Sequence, residues 1–150
     1  MVVERYTDTL VINVNRDSDW FLLIDTLKEN NIDINDRQSC GIEKVIFDLK
    51  EGKVGSVVIA VLISFMILKY RNIICYPQPS IVKRIFSLLD IYNSFIYYQS
   101  LDEALVEEKI NTNGGPTWVK RAESQVKAAR VSQENQAQMV QANHQKQNNI

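Results

Sequence analysis

An α/β domain is the fold class that this 150-residue sequence predicts. Between Val45 and Leu105, β-rich runs alternate with apolar runs of helical length. Pro77-Gln-Pro79 and the glycines near residue 52 punctuate the junctions. Helices separate the strands at distances that suit βαβ crossovers, so the latter half should pair mostly in parallel. With 45% hydrophobic residues the chain can build one real core.

Val2 to Tyr6 and Thr9 to Val14 are the first two strands, with Thr7-Asp8 turning between them. Asp17-Ser18-Asp19 offers N-caps for a helix over Trp20 to Asn30, where Trp20, Ile24 and Leu27 form a core stripe. Asp33 to Gly41 reads as a loop. Lys44 to Leu49 (KVIFDL) is a continuous apolar run of the kind found in strands covered on both faces. After the turn Lys50 to Lys53, an apolar helix runs from Ser56 to Tyr70. It is apolar nearly all round, which predicts deep packing between the sheet and a neighbouring helix.

Asn72 to Tyr76 returns as a strand and Pro77 and Pro79 stop it. Ser80 is a candidate N-cap for Ile81 to Leu89, with Ile81, Ile85, Phe86, Leu88 and Leu89 facing inward and Lys83 and Arg84 facing water. Phe95 to Tyr98 is a short aromatic strand. Ser100 then opens Leu101 to Ile110 with a capping box to Glu103. The expected organisation is a domain over 1–110, a linker over 111–117 containing NTNGGP, and a tail over 118–150. That tail carries five basic and two acidic residues (+3), is crowded with Gln and Asn, and is expected to be partly helical or disordered. Trp118 is its exception, a large aromatic able to dock on the domain or on another subunit.

A net charge of −1 from 17 basic and 18 acidic residues gives no nucleic-acid footprint. Cys40 and Cys75 read as free thiols of a reducing cytoplasm. Glu4 and Arg5 precede any apolar run, so no signal peptide is expected. Val54 to Leu68 carries no charge, but it is shorter than the about 20 residues a membrane span needs, so a core helix is predicted. The lone histidine, His144, lies in the tail, leaving no Ser-His or Cys-His dyad and no His metal pair in the domain. Gly52-x-x-Gly55-Ser56 lacks the Gly-Lys-Ser/Thr ending of a phosphate loop. Asp48, at a strand's carboxyl end, is placed either to meet a ligand or partner or simply to cap a turn. No catalytic set, cofactor or metal is expected. The sequence predicts binding and not turnover.

Several segments together resemble a STAS domain, the fold of bacterial anti-sigma-factor antagonists. They are KVIFDL, the helix opening at Gly55-Ser56, the run IICYPQPSIVKRIFSLLDI and the closing FIYYQSLDEAL. The resemblance covers about residues 5 to 110 and is most specific at the final motif. It implies a small mixed sheet of four to five strands with helices mainly on one side. It also implies a cytoplasmic regulatory module that binds a protein through residues 52–58, with Asp48, Gly52, Gly55, Ser56 and Val57 as partner-binding residues. Expected partners are an anti-sigma-factor kinase or another STAS protein, with no nucleic acid, only indirect membrane contact and a possible homo-oligomer. The family's helix start reads Asp-Ser-Ser/Thr-Gly with its first Ser phosphorylated. Here only Ser56 matches, one residue nearer the Asp-Leu, and the preceding acid is gone. Ser56 therefore has two readings, a phosphorylated switch or an ordinary N-cap hydroxyl. The alternative function is a non-switching STAS subunit of a membrane-associated or scaffold assembly.

Overall fold

The computed structural model describes residues 2–13, 21–50, 54–121 and 135–141. Strands β1 (Val2–Tyr6) and β2 (Thr9–Asn13) form an antiparallel hairpin whose two-residue turn places Thr7 at a φ of 53°. There follow α1 (Phe21–Glu29), a one-turn helix α2 (Arg37–Cys40), β3 (Lys44–Asp48), α3 (Ser56–Ile67), β4 (Arg71–Cys75) and α4 (Pro79–Leu88). A 3-10 turn at Tyr92–Ser94, β5 (Ile96–Tyr98), α5 (Leu101–Glu107) and β6 (Trp118–Arg121) complete the domain. The sheet is mixed and its order is β5-β4-β3-β2-β1-β6. β2, β3, β4 and β5 pair in parallel, while β1 is antiparallel to both neighbours.

This order decides where the helices go. From β2 to β5 each crossover steps one strand in the same direction, and a right-handed crossover then puts every connecting helix on one face. Leu23 and Leu27 of α1, Val58, Leu62 and Phe65 of α3, and Val82 and Phe86 of α4 all bury against Leu10, Ile12, Val45, Phe47 and Ile74 of that face. Alternation along the strands sends Val11, Ile46, Ile73 and Cys75 to the other face, where Ala104, Leu101 and Leu105 of α5 cover them. α5 follows the last parallel strand and closes no crossover, so it is free to fold back beneath the sheet. The monotonic order also leaves no point where successive connections diverge, the place where open α/β sheets hold ligands.

Four expectations are corrected. The run Asp33 to Gly41 contains α2, which Asp36 caps by accepting the Ser39 N–H at 3.2 Å. α4 begins before Ser80: its N-cap is Gln78 and Pro79 takes the first turn, where its missing N–H costs nothing. Ile81, Leu88 and Leu89 are exposed rather than inward, because Val82 and Phe86 hold the sheet-facing position. Trp118–Arg121, expected in the tail, is an edge strand paired with β1. Thr117 leads into it by donating both its N–H and its hydroxyl to the Arg5 carbonyl, at 2.8 and 3.1 Å. Asp17, Ser18, Asp19 and Trp20 lie outside the described residues, as does most of the tail. Residues 135–141 are helical and exposed.

The sixth strand makes truncation informative. A chain ending at Arg121 keeps all six strands. One ending at Ile110 loses the β1–β6 ladder and leaves β1 as the unpaired edge of the sheet, so its melting temperature should fall by several degrees below that of the chain ending at Arg121. Equal melting temperatures from scanning calorimetry would show that β6 contributes nothing.

Candidate functional site

At the carboxyl ends of β2 and β3 the chain leaves the sheet, and the second exit leads into α3. Gly55 is the N-cap residue of α3, in extended backbone (φ −102°, ψ −178°), and no side chain caps the helix. The first backbone bond across the cap is Ile59 N–H to the Gly55 carbonyl at 3.1 Å. Gly55, Ser56 and Val57 are all exposed, and a Cβ at Gly55 would meet nothing within 4 Å. Space therefore does not require glycine there. The Ser56 hydroxyl stands at a helix N-terminus, where the unpaired N–H groups and the dipole favour negative charge. Gly52 lies outside the described residues.

Asp48 does not share this surface. It alternates with Ile46 onto the α5 side of the sheet, is buried, and is level with Asn13 and Cys75 on the neighbouring strands. Its carboxylate accepts the Lys50 N–H at 3.3 Å, closing the turn after β3. Burial, reinforced by the charges of Asp48 and Glu103, pushes the Cys75 thiol up to about 12, so it stays protonated and unreactive at neutral pH. Cys40 is buried as well, with its Sγ 3.5 Å from the Tyr70 hydroxyl. Tyr70 donates to the Ile34 carbonyl at 2.6 Å, and Arg37 covers its ring and donates to the Lys69 carbonyl. These contacts anchor the carboxyl end of α3 to the loop carrying α2.

α3 itself departs from the expected all-round burial. It ends at Ile67, three residues before Tyr70, and only Val58, Leu62 and Phe65 are buried along it. Phe65 meets Phe47 edge to face, with ring centroids 5.2 Å apart. The opposite side carries Val57, Ala60, Ser64 and Ile67, all exposed, with Val57 at 40% and Ile67 at 67%. A helix can be apolar on every side and still lie on the surface when a single layer of helices covers its sheet face. The uncharged helix-length run was legible in the sequence, but which side would stay open was not.

A buried ionic cluster went unforeseen. Glu108, the C-cap residue of α5, accepts from Arg71 Nε at 2.9 Å and Arg71 Nη2 at 3.1 Å, and from the Tyr98 hydroxyl at 2.9 Å. Lys44 Nζ lies 3.9 Å from its carboxylate and donates to its carbonyl at 3.1 Å. Lys44 and Arg71 are level with each other at the amino ends of β3 and β4, so the cluster sits at the opposite edge of the sheet from Ser56. It ties α5 to the sheet. No local pattern announces it, because Glu108 and Arg71 are 37 residues apart.

Among the described residues, no group of three or more His, Cys, Asp or Glu side chains is placed to hold a metal ion, and no helix is long and apolar enough to cross a membrane. The chain matches no protein-family model and no curated protein.

Proposed function

We propose that this chain is a cytoplasmic regulatory module of STAS type that binds a protein partner through the start of α3. The observation that carries this reading is the exposed, side-chain-uncapped Gly55-Ser56-Val57 turn, which follows the carboxyl end of β3 in the parallel part of the sheet. The unbroken order from β2 through α5 is compatible with the STAS resemblance, and the capping box of its most specific motif is formed. Ser100 accepts the Glu103 N–H at 3.2 Å, and the Glu103 carboxylate accepts from Gln99 N–H at 2.9 Å. The partner of this type is an anti-sigma-factor kinase or another STAS protein.

Phosphate on Ser56 adds a charge of about −2 at a helix N-terminus, which the dipole tolerates and a docked partner reads as a changed surface. Ser56→Asp should therefore weaken partner capture from the native host by roughly tenfold or more, while Ser56→Ala leaves it within about threefold. Mass spectrometry of the captured chain scores phosphate at Ser56. Equal capture by the two variants would reject the switch. A second reading, a non-switching subunit of a membrane-associated or scaffold assembly, is favoured by the missing acid before Ser56. Co-purification separates them: a soluble kinase supports the first reading and a membrane ATPase the second.

A further inference from the structure

We propose that the outer face of α3 is a self-association surface that takes a second copy of this chain as an antiparallel helix pair. The stripe is self-complementary. Val57, Ala60, Ser64 and Ile67 are disposed symmetrically about position 62, with a branched apolar residue at each end and a small residue on either side of the centre. A twofold axis through that centre sets Val57 of each copy against Ile67 of the other and Ala60 against Ser64, the isologous pattern of a symmetric dimer. Ala60 and Ser64 let the two backbones approach closely where the helices cross. Antiparallel packing also brings each uncapped amino terminus near the other copy's carboxyl terminus, so the helix dipoles attract.

Charge selects this occupant over an ionic one. From Val54 to Leu68 there is no charged side chain, so an acidic or basic partner finds no ion pair along α3, whereas a second copy's stripe docks without burying a charge. A single helical stripe is small beside the about 800 Å² per partner of a standard interface. The next helix, α4, also leaves apolar side chains in solvent. Leu88 is 82% exposed and Ile81 46%. The dimer is accordingly a weak, concentration-dependent one. The proposal is independent of phosphate at Ser56, since it rests on the length of the helix and not on its first turn.

Sedimentation velocity of the full chain over a concentration series tests this without any other protein present. The average mass should rise toward twice the monomer's as concentration increases. Val57→Glu and Ile67→Lys should each weaken association by roughly tenfold or more, because each sets a charge against an apolar side chain. Ala60→Arg, at the close approach, should abolish it. The double variant V57E/I67K should restore association, because each introduced carboxylate then meets the other copy's introduced ammonium. Circular dichroism melts check that each variant is folded. A native chain that stays monomeric throughout overturns the proposal, as do folded single variants that associate like the native chain. A folded double variant that stays monomeric overturns the antiparallel pairing.

Discussion

Glu108→Ala is expected to destabilise the fold by about 2–3 kcal/mol. Removing one partner of a fully buried ion pair costs about 3–5 kcal/mol. The value here is lower because only the Glu108 side chain is fully enclosed, while the Arg71 side chain is half in water and can recover hydration. What remains is the lost two-pronged bond to Arg71, the stranded Tyr98 hydroxyl and the cut tie between α5 and β4. For a chain of this size the melting temperature should drop by about 5–10 °C. Glu108→Gln keeps the volume and one acceptor oxygen for Tyr98 or Arg71, so its cost should be smaller than that of the alanine variant.

The same cluster sets an acid dependence. Burial alone would raise the pKa of Glu108. The hydrogen bonds from Arg71 and Tyr98, together with the charges of Arg71 and Lys44, outweigh burial and hold its carboxyl below the usual carboxylate range. A group whose pKa is depressed on folding contributes stability that is fully present above its unfolded value, about 4.3 for glutamate. That contribution is lost as pH falls through the lower folded value. The stability gap between the native chain and Glu108→Ala should thus be constant from pH 6 to 8 and shrink below about pH 4. Urea denaturation at stepped pH measures this, and a gap as large in acid as at neutral pH would contradict the ionic account.

The second large effect concerns α3. Phe65→Ala removes a fully buried ring from the contact with Phe47 and should cost about 3–5 kcal/mol. Two positions along, Ile67→Ala should change stability by no more than about 0.5 kcal/mol, because two-thirds of that side chain is already in water. Both residues lie in the same uncharged run, so hydrophobicity alone cannot separate them. Helical phase against the sheet does.

Much of the architecture was legible because it rests on local chemistry. The runs Val45–Phe47 and Ile73–Cys75 are apolar on successive residues, as strands covered on both faces must be, and both are buried as β3 and β4. Ser100 and Glu103 sit at capping-box spacing, and the box forms. What escaped depends on distance in sequence or on phase. Helical spacing in Ile81 to Leu89 allows two faces, and only the sheet selects Val82 and Phe86 over Ile81 and Leu88. Trp118–Arg121 is too short and too basic to read as a strand until β1 offers it an edge. At the candidate site, Ser56 and Val57 lie exposed at the helix start that the uncharged run marks. Asp48 was grouped with them by proximity in sequence, although strand alternation turns it to the other face of the sheet.

Thiol labelling around α3 tests the folding of this uncharged run most directly. Single cysteines are introduced in turn at Val58, Ala60, Leu62, Ser64, Phe65 and Ile67, and modification rates are followed in dilute, detergent-free solution. Reagent should reach positions 60, 64 and 67 quickly and be slow at 58, 62 and 65, where protection matches that of the buried native Cys40 and Cys75. Uniform rates all round the helix, or a chain that stays dispersed only in detergent, would mean that this segment does not lie on the sheet by one side.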